Sequence, residues 1–134
     1  MHAQVADLLE IPAGIVGRTV AEVMVERPKT LAGAATVAEA RAELLDEHVH
    51  LVLLVQDGTL VGTLDRADLA AAPADAPASA YAVLAGRTVA PGVPAGDAWV
   101  LLRATDRRRL AVVDDDGVLL GLLCLKRRLT GFCS

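Results

Sequence analysis

Two carboxylates three positions apart close a glycine-containing stretch in the first half of the chain, Gly62-Thr-Leu-Asp65-Arg-Ala-Asp68. We predict that Asp65 caps a helix and that Asp68 makes its first turn acidic. The N-terminus of a helix offers unpaired amides and a partial positive charge, which suits a phosphate, but the Asp65 carboxylate would repel one. Two interpretations therefore stay open: a ligand site that accepts few phosphates, and a capped helix that needs no ligand.

A basic run in the second half is a second possible anion site. Lys126, Arg127 and Arg128 follow an apolar run, at the point where we predict another helix to begin. Cations at the start of a helix are disfavoured by a few tenths to about 1 kcal/mol. Either an anion is bound by these side chains and amides, or the run is a solvated helix surface.

The elements that position the aspartates are a strand, a tight turn and a second strand. Apolar runs at residues 51–55 and 60–64 predict strands of the usual length. Between them, Asp57-Gly58 predicts a turn with positive φ at its central residues. The same arrangement recurs over residues 110–129, which indicates an internal repeat.

The spacing between equivalent residues defines the repeat. Gly58 and Gly117 give an offset of 59 (117−58), whereas Thr30 and Thr88 give an offset of 58 (88−30). We therefore expect one inserted residue in the second copy, near residues 106–109.

The repeat predicts the domain organisation of the chain. We assign residues 1–16 to an N-terminal extension, 17–70 to the first repeat, 71–85 to a linker rich in Pro and Ala, and 86–134 to the second repeat. Each half is marginal in size alone, so we expect the two to share one core.

Capping boxes predict two helices in the first repeat. Thr19 with Glu22 begins one that runs to about Met24, and Thr36 with Glu39 begins another. The second copy has Pro94 in place of Thr36, so we expect its helix, from Gly96 or Asp97, to lack a capping box. On the helix after Thr36 the residues expected to be buried are Val37, Ala40, Leu44 and Leu45. On the helix of the second copy they are Ala98, Leu101, Leu102 and Thr105.

Composition excludes several classes of function. A net charge of −4 and 2% aromatic residues disfavour nucleic-acid binding. No apolar run approaches the roughly 20 residues that span a bilayer. His2, His48 and His50 have no metal-ligand spacing, and no catalytic motif is present, so we do not expect an enzyme. Without metal spacing or a secretory segment, Cys124 and Cys133 are predicted to be reduced thiols of a cytoplasmic protein.

The stretch from Gly62 to Asp68 resembles the CBS domain, which occurs here as the tandem pair called a Bateman module. It is similar to the family's pattern of a glycine, two apolar residues, Ser or Thr, two variable residues and Asp. Residues 52–58 resemble the strand and turn before that motif, with Val52 at the family's proline position. The resemblance implies an α+β fold: two small sheets with packed helices, related by a pseudo-twofold axis, with clefts between the halves.

The resemblance also implies a ligand and its contacts. Family members bind adenosine-containing ligands such as AMP, ATP, adenosine or S-adenosylmethionine in those clefts. The family's ribose-binding aspartate corresponds to Asp68, its phosphate-side Ser or Thr to Asp65, and its adenine-contacting strand to Thr30 and Leu31; Val52 and Arg66 complete the predicted site. In the second copy, Cys124 and Arg127 depart from the motif.

Three functions follow as hypotheses. The first is a regulatory module that senses an adenine nucleotide or nucleoside in a cleft between the repeats and signals to an unknown effector protein. The second is a ligand-free dimeric interaction scaffold with degenerate sites. The third and weakest is a nucleic-acid binder. We expect a homodimer, because a chain so rich in Ala, Val and Leu is expected to expose an apolar patch.

Overall fold

The computed structural model describes residues 11–126 and 130–133 and contains two three-stranded sheets with helices packed on them. In each sheet the first two strands are parallel and the last two form an antiparallel hairpin. The predicted α+β fold of two repeats is therefore confirmed. The strands are β1 (Leu31–Ala32), β2 (Val52–Gln56), β3 (Thr59–Leu64), β4 (Thr88–Val89), β5 (Arg109–Val113) and β6 (Leu119–Cys124).

The first three helices begin directly after their predicted caps, and the fourth begins at Ala95, before its predicted start at Gly96 or Asp97. The helices are α1 (Val20–Val23), α2 (Val37–Glu43), α3 (Arg66–Leu69) and α4 (Ala95–Ala104), and single 3₁₀ turns span Ala13–Ile15 and Ala78–Tyr81. At α2 the Thr36 hydroxyl accepts a hydrogen bond from the Glu39 amide at 3.2 Å, and Glu39 accepts one from the Thr36 amide at 3.1 Å. Helix α4 follows Pro94 without a side-chain cap, as expected.

The register of the strands relocates the inserted residue. Leu54 pairs with Gly62 and Val112 pairs with Gly121. The first members of these pairs give an offset of 58 (112−54), whereas the glycines give an offset of 59 (121−62). The insertion therefore lies in the turn of the second hairpin, and its predicted position near residues 106–109 is wrong because apolar runs alone do not fix register.

Helix length and phase correct the predicted buried faces. Leu45 is 85% exposed because α2 ends at Glu43 and Leu45 lies beyond it. In α4, Leu101 is 46% exposed and Thr105 is also on the surface, so both predictions are wrong. The buried stripe of α4 instead comprises Ala95, Ala98, Trp99 and Leu102.

The two repeats exchange the segments that precede their first strands. Residues 19–25 pack on the second repeat, where Val25 and Leu122 exchange two backbone hydrogen bonds of 2.8 and 2.9 Å. Residues 76–83 pack on the first repeat, where Thr63 and Val83 exchange two bonds of 2.9 Å. The connection between the repeats is therefore part of the packed fold, and each half is completed by a segment associated with the other.

The C-terminal end lies beside β6. Leu125 pairs with Phe132, and Cys124 and Cys133 are joined by a disulfide with 5.1 Å between their Cα atoms. The prediction of reduced thiols is therefore wrong, because the pairing of Leu125 with Phe132 places the two side chains together. Among the described helices, none has the length and apolar character needed to cross a membrane.

Candidate functional site

A cavity of about 250 Å³ lies between the two repeats. Thr30 and Leu31 at β1 and Val52 at the start of β2 line one side, and Arg109 and Leu122 of the second repeat line the other. The exchange of segments creates this arrangement, since it pairs Val25 with Leu122 of β6 shortly before the chain enters β1. Three of the predicted ligand-binding residues are therefore brought together.

The rim of this cavity carries an exposed ion pair. Lys29 Nζ lies 2.7 Å from Glu43 Oε2, and the lysine side chain is 71% exposed. The hydrogen bond to Glu43 raises the pKa of Lys29. His48 and His50 also line the cavity. Within residues 11–126 and 130–133, no three His, Cys, Asp or Glu side chains lie close enough together to hold a metal ion.

A second cavity of about 190 Å³ adjoins the first and is rich in charge. Arg107, Arg108 and Arg109 line it together with Asp65 and Asp106, and Arg109 also lines the larger cavity. Burial and the neighbouring charge of Arg108 lower the pKa of Arg109. Since three arginines and two aspartates line it, the balance of charge in the cavity favours an anion.

The arginines of this cavity have hydrogen-bonding capacity to spare. Among the described residues, Arg107, Arg108 and Arg109 form no salt bridge. Arg108 Nη2 donates a hydrogen bond to the Leu125 carbonyl at 3.1 Å, whereas its Nε is buried without a hydrogen-bond partner in the part of the chain that the structure describes. A buried donor without a partner costs about 1 to 3 kcal/mol.

Asp65 and Asp68 cap α3 reciprocally. Asp65 Oδ1 accepts a hydrogen bond from the Asp68 amide at 2.9 Å, and Asp68 Oδ2 accepts one from the Asp65 amide at 2.8 Å. This is the capped helix with an acidic first turn that the sequence predicts. Asp68 takes the position that glutamate or glutamine usually has in a capping box.

Arg87 is the partner of both aspartates, and the sequence analysis missed it. Its guanidinium donates two hydrogen bonds to the Asp68 carboxylate, at 3.0 and 3.2 Å, and lies 3.4 Å from Asp65. A further bond of 3.3 Å reaches the Thr63 hydroxyl. Arg87 is 4% exposed. The sequence offers one signal for Arg87, which is its place in the repeat. It is the equivalent of Lys29 at the offset of 58 (87−29), and each of these cations precedes the first strand of its repeat.

The pKa of Asp68 reflects this pairing. Burial raises the pKa of the carboxyl, but hydrogen bonds and charge from Arg87, together with the Asp65 amide, lower it further than burial raises it. The ionised form is thereby stabilised in the folded chain.

The remaining predicted site residues lie elsewhere. Arg66 donates hydrogen bonds to the backbone carbonyls of Leu44 and Asp46, so it ties α3 to the end of α2. Lys126 is exposed, and its amide donates to the Gly131 carbonyl at 2.9 Å. Arg127 and Arg128, and the helix predicted to begin there, fall outside the described residues.

The predicted ligand-binding residues are therefore divided between two places. Thr30, Leu31 and Val52 line the larger cavity, whereas Asp68 lines neither cavity and is paired with Arg87. Asp65 lies at the smaller cavity. The predicted ligand-binding residues all belong to the first repeat, but the exchanged segments place Thr30, Leu31 and Val52 in a different cleft from Asp68.

Solved structures of other proteins have a similar fold. CBSX2 in complex with AMP is 27% identical, with 85% of this chain and 93% of CBSX2 covered and a TM-score of 0.71. A CBS domain protein from Pyrobaculum aerophilum complexed with AMP is 25% identical, with coverage of 83% and 94% and a TM-score of 0.65. A CBS domain pair/ACT domain protein from Thermotoga maritima, at 19% identity, coverage of 80% and 89% and a TM-score of 0.67, shows the fold alone.

The family itself is identified by sequence. No curated protein matches the chain. The family model of the CBS domain matches residues 20–75 and again residues 86–128, which together make up most of the chain. The two matches coincide with the two sheets and their helices, and CBS domain pairs are regulatory modules. The chain therefore belongs to the CBS domain family, as a tandem pair of repeats.

Proposed function

We propose that this chain is a regulatory module that binds an adenine nucleotide in the larger cavity. The observation that carries the proposal is the cavity itself, which lies between the repeats and is lined by both of them. Two structures of the same family, at 25% and 27% identity, are complexes with AMP.

The walls of the cavity suit a purine base. Leu31, Val52 and Leu122 supply apolar surface from three different strands, and the exposed Thr30 adds a hydroxyl at the opening. Small-molecule sites are commonly apolar with a few polar groups that fix orientation.

The adjoining arginines favour a ligand that carries phosphate. Arg109 lines both cavities, so a nucleotide with its base in the larger one would direct its phosphate toward Arg109 and Arg108. Repulsion by Asp65 is offset because Arg87 lies 3.4 Å from its carboxylate. We therefore propose AMP or ATP over adenosine and S-adenosylmethionine, in place of the expectation of few phosphates.

Titration calorimetry with AMP and adenosine tests the proposal. Thr30→Trp should abolish binding, because the exposed threonine can be replaced by an indole that fills the opening of the cavity. Thr88→Trp is the matched control, since Thr88 is the equivalent residue of the second repeat (88−30 = 58). AMP should bind the wild type more tightly than adenosine does. Equal loss of binding in both folded variants, or no heat with any adenine nucleotide, would contradict the proposal.

The predicted homodimer remains a proposal that the exposed side chains support. Leu45 after α2 and Leu101 on α4 are 85% and 46% exposed, so each repeat has an apolar side chain at its surface. The effector protein and the cytoplasmic location remain predictions from the sequence.

A further inference from the structure

The pseudo-twofold relation defines a second cleft equivalent to the larger cavity. Lys29 and Leu122 border the larger cavity. Arg87 is the equivalent of Lys29, at an offset of 58 (87−29), and Thr63 is the equivalent of Leu122, at an offset of 59 (122−63). The hydrogen bond of 3.3 Å between Arg87 and the Thr63 hydroxyl therefore crosses the second cleft.

The two equivalent cations behave in opposite ways. Lys29 is 71% exposed and turns to Glu43 at the rim, which leaves the first cleft open. The Arg87 side chain is 5% exposed and extends inward, where its two terminal nitrogens bind both carboxylate oxygens of Asp68. The guanidinium thus lies in the part of the cleft next to Asp68. The smaller cavity is the part that stays open, because the arginines 107–109 that line it are the equivalents, at an offset of 58, of residues 49–51 in the larger cavity.

We propose that Arg87 is a built-in occupant of the second cleft at Asp68, so that this cleft does not bind nucleosides. A carboxylate that binds two donors from one planar group uses both oxygens, which are the acceptors that the vicinal hydroxyls of a ribose would need. The Asp65 amide donates a third bond to Asp68, so about one of the roughly four lone-pair sites of the carboxylate stays free, too few for the two hydroxyls of a ribose. Removing Arg87 should therefore add one nucleoside site to the chain.

A neutral ligand does not displace this occupant. Arginine keeps its proton throughout the accessible pH range, and breaking a buried ion pair leaves an uncompensated charge. The hydroxyls of a ribose carry no charge to replace the one that Asp68 would lose. The second cleft therefore stays closed to a neutral nucleoside, whether or not the first cleft is occupied.

Equilibrium dialysis against labelled adenosine, a neutral probe, counts the sites directly. Arg87→Ala should bind one more adenosine per chain than the wild type, and Arg87→Ala with Asp68→Ala should return to the wild-type number. Arg41→Ala is the control: Arg41 also donates from a partly buried position, to the Leu69 and Ala72 carbonyls, but lines neither cavity. Its number of sites should equal that of the wild type.

The count separates this proposal from the function of the first cleft. If the wild type binds no adenosine and Arg87→Ala binds one per chain, the proposal for Arg87 is supported and adenosine binding in the first cleft is contradicted. If the number rises from one in the wild type to two in Arg87→Ala, both are supported. Two sites in the wild type, or a folded Arg87→Ala chain with the wild-type number, would overturn the proposal. If Arg87→Ala does not fold, Arg87→Gln is measured in the same way, and a wild-type count of two overturns the proposal without any variant.

Discussion

Replacing Asp68 with alanine should destabilise the fold, because Asp68 neutralises a buried arginine. The carboxylate accepts two bonds from Arg87, at 3.0 and 3.2 Å, and one from the Asp65 amide at 2.8 Å. Breaking a buried ion pair by removing one partner costs about 3 to 5 kcal/mol. Since the Asp65 carboxylate remains 3.4 Å from Arg87, we expect the lower part of that range, about 3 kcal/mol.

Urea unfolding measures this loss. For a slope of about 2 kcal/mol/M, the midpoint of Asp68→Ala should fall by about 1.5 M. Asp68→Ala with Arg87→Met should recover most of it, because no buried charge is left unpaired. Lys29→Met is the matched control, since Lys29 is the equivalent cation in an exposed pair, and it should leave the midpoint unchanged. The reasoning is refuted if Asp68→Ala unfolds at the wild-type midpoint, or if the double variant is no more stable than the single one.

Two further predictions concern the exchanged segments and acid stability. Gly121→Ala should lower the free energy of unfolding by about 2 kcal/mol, because the new Cβ would lie 2.6 Å from the Val25 carbonyl oxygen. Gly14→Ala is the control and should leave this free energy unchanged, since no atom lies within 4 Å of its new Cβ. Equal urea midpoints for the two variants would contradict the exchange of segments. Because the pKa of Asp68 is lowered by folding, its pairing stabilises the chain fully above the ordinary aspartate range and is lost as pH falls through the lowered value. The melting temperature should therefore fall more steeply between pH 6 and pH 2 for the wild type than for Arg87→Met, and an equal fall in both would contradict this. The Thr19 amide also lowers the pKa of Glu22, but this effect is the same in both chains.

Local patterns predicted the local structure well. Asp57 and Gly58 adopt positive φ values of 51° and 81°, as the turn requires, and Thr36 caps α2 with Glu39. These features depend on neighbouring residues, so the sequence contains the information needed to predict them. The resemblance carried by Gly62 to Asp68 added the family and the paired sheets.

The composition of the site could not be predicted in the same way. The cleft that contains Thr30 is completed by Arg109 and Leu122 of the second repeat, and Asp68 meets Arg87 instead of the first cleft. These contacts arise from the exchange of segments between the halves, which no local pattern specifies. A motif can therefore identify residues of a family site without showing which of them share one cleft.

A crystal structure of the chain with AMP tests the central claim most directly. The account predicts one AMP per chain, with its base against Leu31 and Val52, its phosphate near Arg109, and Arg87 still bound to Asp68. An AMP molecule bound at Asp68 with Arg87 displaced, or a larger cavity that stays empty at saturating AMP, would contradict it.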